Sequence, residues 1–560
     1  MKRRTPSSSS RRHFLSGAAA AGAVSVAEWL GFFRTHGVPG TSKDWGIAKA
    51  RASEGDEDRF LVYWFVDGGW DSYSMFGPVH TVNHANPNLS IPPGTLYPTP
   101  SWSDQIYRVE NYGTAPYEHP SVHAGITHGH LAIDGRDLFP EMAVVSSHKG
   151  NLFHSGGRWD LHYGTYPHSL TAYRTANERS VMQAFAEAKG TGFLLPNISW
   201  HRWLSDSDLV ESQYPEGTGY YEKLGPSYAH TIYGRTPRDL KARLAGVGNI
   251  ASQARRRQIG QYTDALREQF LRGRDGQSVR SFASAIEIHR QLEENVGSFN
   301  VETLFDDDVL KETFHIVPGD EITTATAINS QPARSKNSPH TRMQAMMAYE
   351  LMRAKISCAL WIETREVRVF DSHRWRLMTV NTRSNSDQLA MMKEHLWNPL
   401  HDFVDMLKAT PMPGAPDASM WDRTTIVLCS EMGRSIQGDV TDILNSTDSD
   451  ADKYTDIMEQ DVCQHSVVNS VAFLGAGVRG GTQFGGVGTS TLASIPMMPD
   501  GTLDPAYDPV TGVLTGTKNP TSYVAEPGHV YSTALKLAGV DPTGKGLNTK
   551  PAMDFVIDDT

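Results

Sequence analysis

Residues 59–66 read RFLVYWFV and run directly into Asp67-Gly68-Gly69-Trp70-Asp71. A strand with one face in water would carry a polar residue at every second place, and this one carries none after Arg59. A continuous β-branched and aromatic run closed by glycines is the pattern of a central parallel strand covered on both faces. Ligands in open α/β sheets collect where such strands end. A chain built round this segment is therefore expected to be α/β, with its chemistry just beyond Val66.

Similar apolar runs recur at 142–145, 356–362, 424–428 and 471–474, each followed by polar or glycine residues. Between them lie helical patterns at 343–354, with Met343, Met346, Met347 and Leu351 on one side, and at 387–407, with Leu389, Leu396, Leu400, Phe403, Val404 and Leu407 forming a stripe. Alternating strand and helix predicts a doubly wound, mostly parallel sheet. Residues 75–135 read as long loops, 235–300 as amphipathic helices forming a cap, and 439–460 and 492–526 as flexible insertions. The glycine-rich stretch 475–486 lacks the Lys-Ser/Thr ending of a phosphate loop and reads as tight turning between strands. The three cysteines, Cys358, Cys429 and Cys463, are too few and too widely spaced for a disulfide framework.

The amino terminus carries an address. Met1-Lys2-Arg3-Arg4 and a serine run precede Ser10-Arg11-Arg12-His13-Phe14-Leu15 and a weakly apolar stretch to Phe33, as in substrates of the twin-arginine export machinery. Ala48-Lys49-Ala50 suits signal cleavage, so residues 1–50 are expected to be a signal peptide and 51–560 the mature, periplasmic or secreted protein. Glu28 in mid-run argues against a stable transmembrane segment. Residues 1–50 hold eight basic and two acidic residues, so their removal takes the formal charge from −11 to −17. That balance argues against nucleic acid as a partner.

Acidic and histidine residues gather where strands are expected to end. Asp67 and Asp71 follow the first strand, Asp371-Ser372-His373 follows the strand at 356–362, and Ser430-Glu431-Met432-Gly433-Arg434 follows that at 424–428. His465 precedes the strand at 471–474, and Pro527-Gly528-His529 opens a last helix at 530–538. Carboxylate and imidazole together suit a divalent ion such as Zn, Mn or Ca, and paired ions serve phosphate or sulfate ester hydrolysis. The structural alternative is a set of hydrogen-bonded loops in a chain with 22 histidines and 63 acidic residues. Arg434 offers a bidentate fork for a phosphate, sulfate or carboxylate, or equally a salt link to Glu431.

These segments, with Phe473-Leu474-Gly475-Ala476-Gly477-Val478-Arg479-Gly480-Gly481 and Leu537-Ala538-Gly539-Val540-Asp541-Pro542, resemble the motifs of domain-of-unknown-function family 1501 (DUF1501). That family is twin-arginine-exported and distantly similar to the alkaline phosphatase and sulfatase superfamily. The resemblance covers about 60–545 in scattered blocks. It implies an alkaline phosphatase-like α/β fold and metal ligands at Asp67, Asp371, His373 and His529, with different spacing at Asp371 and His373. The family's Asp-His pair is Gln464-His465 here, and a glutamine carbonyl is a poor ligand. Asp461 shares a face with His465 if the segment is one helical turn. A nucleophile is implied near a helix start after the second strand, where Ser155 is the best-placed hydroxyl, at the end of a block running from Ser146 to Ser155 and followed by Gly156-Gly157-Arg158.

Two functions follow as expectations. One is a metal-dependent hydrolase-like protein acting on phosphate or sulfate esters, with Ser155 and Arg434 as the reacting and anion-holding residues. The other is a non-catalytic binding protein on the same scaffold for an anionic small molecule or an extracellular polymer, with the aromatics at 102–117 and 159–166 available to stack on sugar or peptide. An exported oxidoreductase is the weaker third, since the chain has no haem, iron–sulfur or dinucleotide motif.

Overall fold

A computed structural model describes residues 58–70, 107–109, 117–119, 138–151, 154–165, 179–190, 193, 195–200, 232–233, 236–238, 240–241, 303–320, 339–364, 393–413, 415–436, 463–466, 468–487, 494–508, 512–545 and 550–558. The chain divides into two compact units, residues 1–55 with 238–304, and residues 56–237 with 305–560. The first unit holds the expected signal peptide and most of the expected cap, which lie almost wholly outside the described residues. The second unit is mixed α/β around a mostly parallel sheet.

In chain order the strands of its main sheet and of the ribbon beside it are β1 (Phe60–Val66), β2 (Met142–Lys149), β3 (Asn197–Ser199), β4 (Ile232–Tyr233), β5 (Ala359–Thr364), β6 (Thr424–Ser430), β7 (Gly433–Ile436), β8 (Cys463–Ser466), β9 (Val468–Gly475) and β10 (Thr482–Phe484). Its helices are α1 (His154–Tyr163), α2 (Val181–Lys189), α3 (Asp308–Thr313), α4 (Thr341–Arg353), α5 (Asn398–Ala409) and α6 (Pro527–Leu537). Eight strands form one sheet in the order β10-β2-β9-β6-β1-β5-β3-β4, while β7 and β8 make a separate two-stranded ribbon.

β1 lies at the heart of this sheet because every one of its side chains is apolar and every one is buried. It pairs in parallel with β6, where Val62 faces Ile426, and with β5, where Val62 faces Leu360. Its Tyr63 ring stacks on Trp361 of β5 at 5.0 Å. Among the described strands of the sheet, β9 alone runs against the rest, antiparallel to both β6 and β2. The connectivity explains the reversal. β6 ends at the carboxyl edge, β7 and β8 pair beyond it, and the chain enters β9 from that same edge. No crossover is then needed to reach a neighbour, and the pairing must be antiparallel.

The glycine-rich stretch turns the chain from β9 to β10. Gly475 has a φ of 95°, and a Cβ there would lie 2.1 Å from Thr424 O, so no larger residue closes this turn.

Helix starts follow local chemistry. α5 begins at Asn398 with Pro399 in its first turn, a place where proline's missing N–H costs nothing. The apolar stripe had predicted one helix across 387–407; instead a five-residue π-helical turn at Lys393–Trp397 leads into α5, and 387–392 lie outside the described residues. α6 starts at Pro527, earlier than its apolar residues suggest, because Glu526 and His529 form a reciprocal capping box. Cys358 and Cys429 are buried free thiols whose burial pushes their pKa values up. Among the described residues no helix is long and apolar enough to cross a membrane.

Candidate functional site at the carboxyl edge of the sheet

β1 leaves the sheet at Asp67, whose N–H donates to Thr364 O of β5 at 3.1 Å. Gly68 and Gly69 follow with φ of 114° and 80°, values that favour glycine. The turn is held from the β6 side: Gly68 N–H donates to Glu431 Oε1 at 2.7 Å. Glu431 is fully buried, and the Ser430 hydroxyl donates to Val66 O at 2.7 Å while standing 3.1 Å from Glu431 Oε2.

Trp70 bridges to Gly433 at the start of β7, and its indole N–H donates to Asn469 Oδ1 at 2.8 Å. The Asn469 amide donates to Ser430 O at 2.7 Å, and its Oδ1 also accepts from Ser470 N–H at 2.8 Å. The start of β9, the end of β6 and the loop after β1 are thus joined by one asparagine.

α1 closes the site from above. A Cβ on Gly157 would lie 1.9 Å from Glu431 O, so the first turn of the helix rests on the β6 exit at backbone contact. That places Arg158, 5 % exposed, in an ion pair with Asp67 and 3.9 Å from Glu431 Oε1, with its guanidinium 5.5 Å from the centre of the Phe65 ring. One cation is set among two carboxylates. Such a cluster is costly to desolvate and costlier still to break, because removing one member leaves buried charge uncompensated.

At the end of β2, His148 is 1 % exposed and pairs in register with Asn469. Its Nδ1–H donates to Lys149 O at 3.3 Å. Burial lowers its pKa to about 4, so the ring is neutral.

The residues expected to carry chemistry fall into three groups. Asp67 and His529 are described in full. His529 stands at the start of α6, next to the β2 end, where Lys149 N–H donates to Ala525 O at 2.7 Å. Its Nδ1 accepts the Glu526 N–H at 3.0 Å, its ring stacks on Tyr523 at 4.7 Å, and burial lowers its pKa to about 4 against the opposing pull of Glu526. A neutral ring that accepts at Nδ1 carries its proton on Nε2.

Of Ser155, Arg434 and His465 the backbone alone is described. Ser155 lies in the first turn of α1, and Arg434 and His465 are cross-strand partners in the β7–β8 ribbon. Asp371, His373 and Asp461 lie outside the described residues. Among the described residues no group of three or more His, Cys, Asp or Glu is close enough to hold a metal ion.

Sequence reasoning missed Arg158, Asn469 and a second polar group beside β5. Gln344 near the start of α4 clasps Glu363, donating to its carbonyl at 3.0 Å and accepting its N–H at 2.9 Å, which brings that helix start to the carboxyl edge. There Arg342 Nε lies 3.5 Å and His340 Nε2 3.9 Å from Asp320, and the His340 and His395 rings are 6.2 Å apart. The apolar stripes at 343–354 and 387–407 mark the helices that carry Gln344 and His395, but nothing in those stripes tells which polar residues meet. Trp159 and Tyr163, read as surface platforms for a polymer, are buried and stack on each other at 4.9 Å. No family model, no curated protein and no solved structure matches the chain.

Proposed function

We propose that the chain is an exported hydrolase-like protein of the DUF1501 type, built on a doubly wound alkaline phosphatase-like sheet, that takes a phosphate or sulfate ester at the carboxyl edge. The observation that carries this reading is convergence. The ends of β1 and β6, the first turn of α1 with Ser155, and the paired Arg434 and His465 belong to four distant parts of the chain and meet beyond one edge. A helix start favours anionic oxygens, and Ser155 and Arg434 are assigned as nucleophile and anion fork.

The divalent ion implied by the resemblance fits the described donors poorly. Asp67 faces a guanidinium, Glu431 Oε1 accepts the Gly68 N–H, and His529 Nδ1 takes a backbone N–H. No step of the reading is routed through a metal. The same saturation favours the second reading, a non-catalytic binding protein of the periplasm or exterior on this scaffold.

Hydrolysis of p-nitrophenyl phosphate and p-nitrophenyl sulfate by the exported protein decides between them, with metal content measured in wild type, His373→Ala and His465→Ala. The hydrolase reading expects turnover that falls at least about a hundredfold in Ser155→Ala. Folded protein that cleaves neither ester leaves the binding reading.

A further inference from the structure

We infer that the Arg158 guanidinium, rather than a divalent ion, is the resident counter-cation of Asp67 at the end of β1. The backbone fixes where this cation can be. Gly157 rests on Glu431 O with no room for a Cβ, so the first turn of α1 cannot withdraw from the strand ends without separating the helix from the sheet. The side chain is as closely confined: it is 5 % exposed, reaches Asp67 and Glu431, and lies over Phe65.

Neither carboxylate is at liberty to turn toward an ion. Glu431 would have to abandon the buried Gly68 N–H, and Asp67 its pairing with the Arg158 guanidinium. An ion at Asp67 would take the carboxylate from a guanidinium that is only 5 % exposed, and an unpaired buried charge is the least favourable arrangement open to this cluster. The lock serves the loop after β1: Arg158 offsets half of the charge that Glu431 and Asp67 bring together, and Glu431 holds Gly68.

The inference concerns the Asp67 corner of the proposed site and is independent of ester turnover. A metal held by His465 and the residues expected with it would leave it intact. Calorimetric titration of Zn2+ and Mn2+ into chelator-treated wild type and Asp67→Asn is the test. The same number of sites in both proteins is expected, whether that number is zero or more, and one site fewer in Asp67→Asn overturns the inference. Melting of Arg158→Ala supplies an independent measure. It is expected to melt several degrees below wild type and to regain part of that loss in millimolar Mn2+, a recovery absent from the Asp67→Asn/Arg158→Ala double variant. An Arg158→Ala protein as stable as wild type overturns the inference too, and should that variant not fold, the Asp67→Asn titration decides alone. Failure of the hydrolase reading would show separately, as absence of turnover in wild type.

Discussion

At the scale of single residues, burial decides the behaviour of groups that look reactive in the sequence. His148 and His529 are held neutral with pKa values of about 4, where an unfolded chain would protonate them near 6.5. Their contribution to stability is present above about pH 6.5 and is lost as pH falls toward 4, by about 3 kcal/mol for His148 and less for His529. Asp402 works in the opposite sense: burial raises its pKa to about 6 against the pull of His315 and His401, so its contribution is present at low pH and lost as pH rises through 6. Thermal melts from pH 7.5 to 4.5 should show a net acid loss, shallower in His148→Asn. Gly157→Ala is a second test at this scale. Alanine normally improves a helix interior by about 1 kcal/mol over glycine, yet here its Cβ would meet a carbonyl oxygen that belongs to backbone and cannot swing aside. A loss of about 3 kcal/mol in denaturant unfolding is expected.

At the scale of elements, the reversed strand β9 is held at its start by Asn469, which serves Trp70, Ser470 and Ser430 at once. Asn469→Ala would orphan buried donors and an acceptor on three segments, for a loss of about 3 kcal/mol or more. Asn469→Asp should rescue little of this, since a carboxylate cannot donate to Ser430 O and adds charge beside Glu431. Helix α6 depends on its cap: Glu526→Ala removes one half of the reciprocal box and the ion pair to Lys550, and about 1 kcal/mol is expected from urea unfolding.

At the scale of the whole molecule, the export reading predicts that Arg11→Lys with Arg12→Lys leaves the precursor in the cytoplasm, visible by fractionation and immunoblotting. The amino-acid sequence by itself determined which segments form the interior of the sheet. β1 announces itself as a run apolar at every position, and β2, β5, β6 and β9 announce themselves through the shorter apolar stretches 142–145, 359–362, 426–429 and 471–474, each joined within its strand to polar residues; such a run is a property of a few consecutive residues. The location of the candidate site was legible for the same reason, since Asp67, Ser430 to Arg434 and His465 stand directly beside those runs. Only the tertiary structure decided the order of the strands, the reversal of β9 and the partners of the polar groups. Arg158 meets Asp67 and Glu431 because α1 lands on the β6 exit at Gly157, and Asn469 meets Trp70 because β9 enters from the carboxyl edge. Hydrophobic burial is written locally, residue by residue; the pairing of a charge or an amide is written in the meeting of segments far apart in the chain, and composition carries no trace of it.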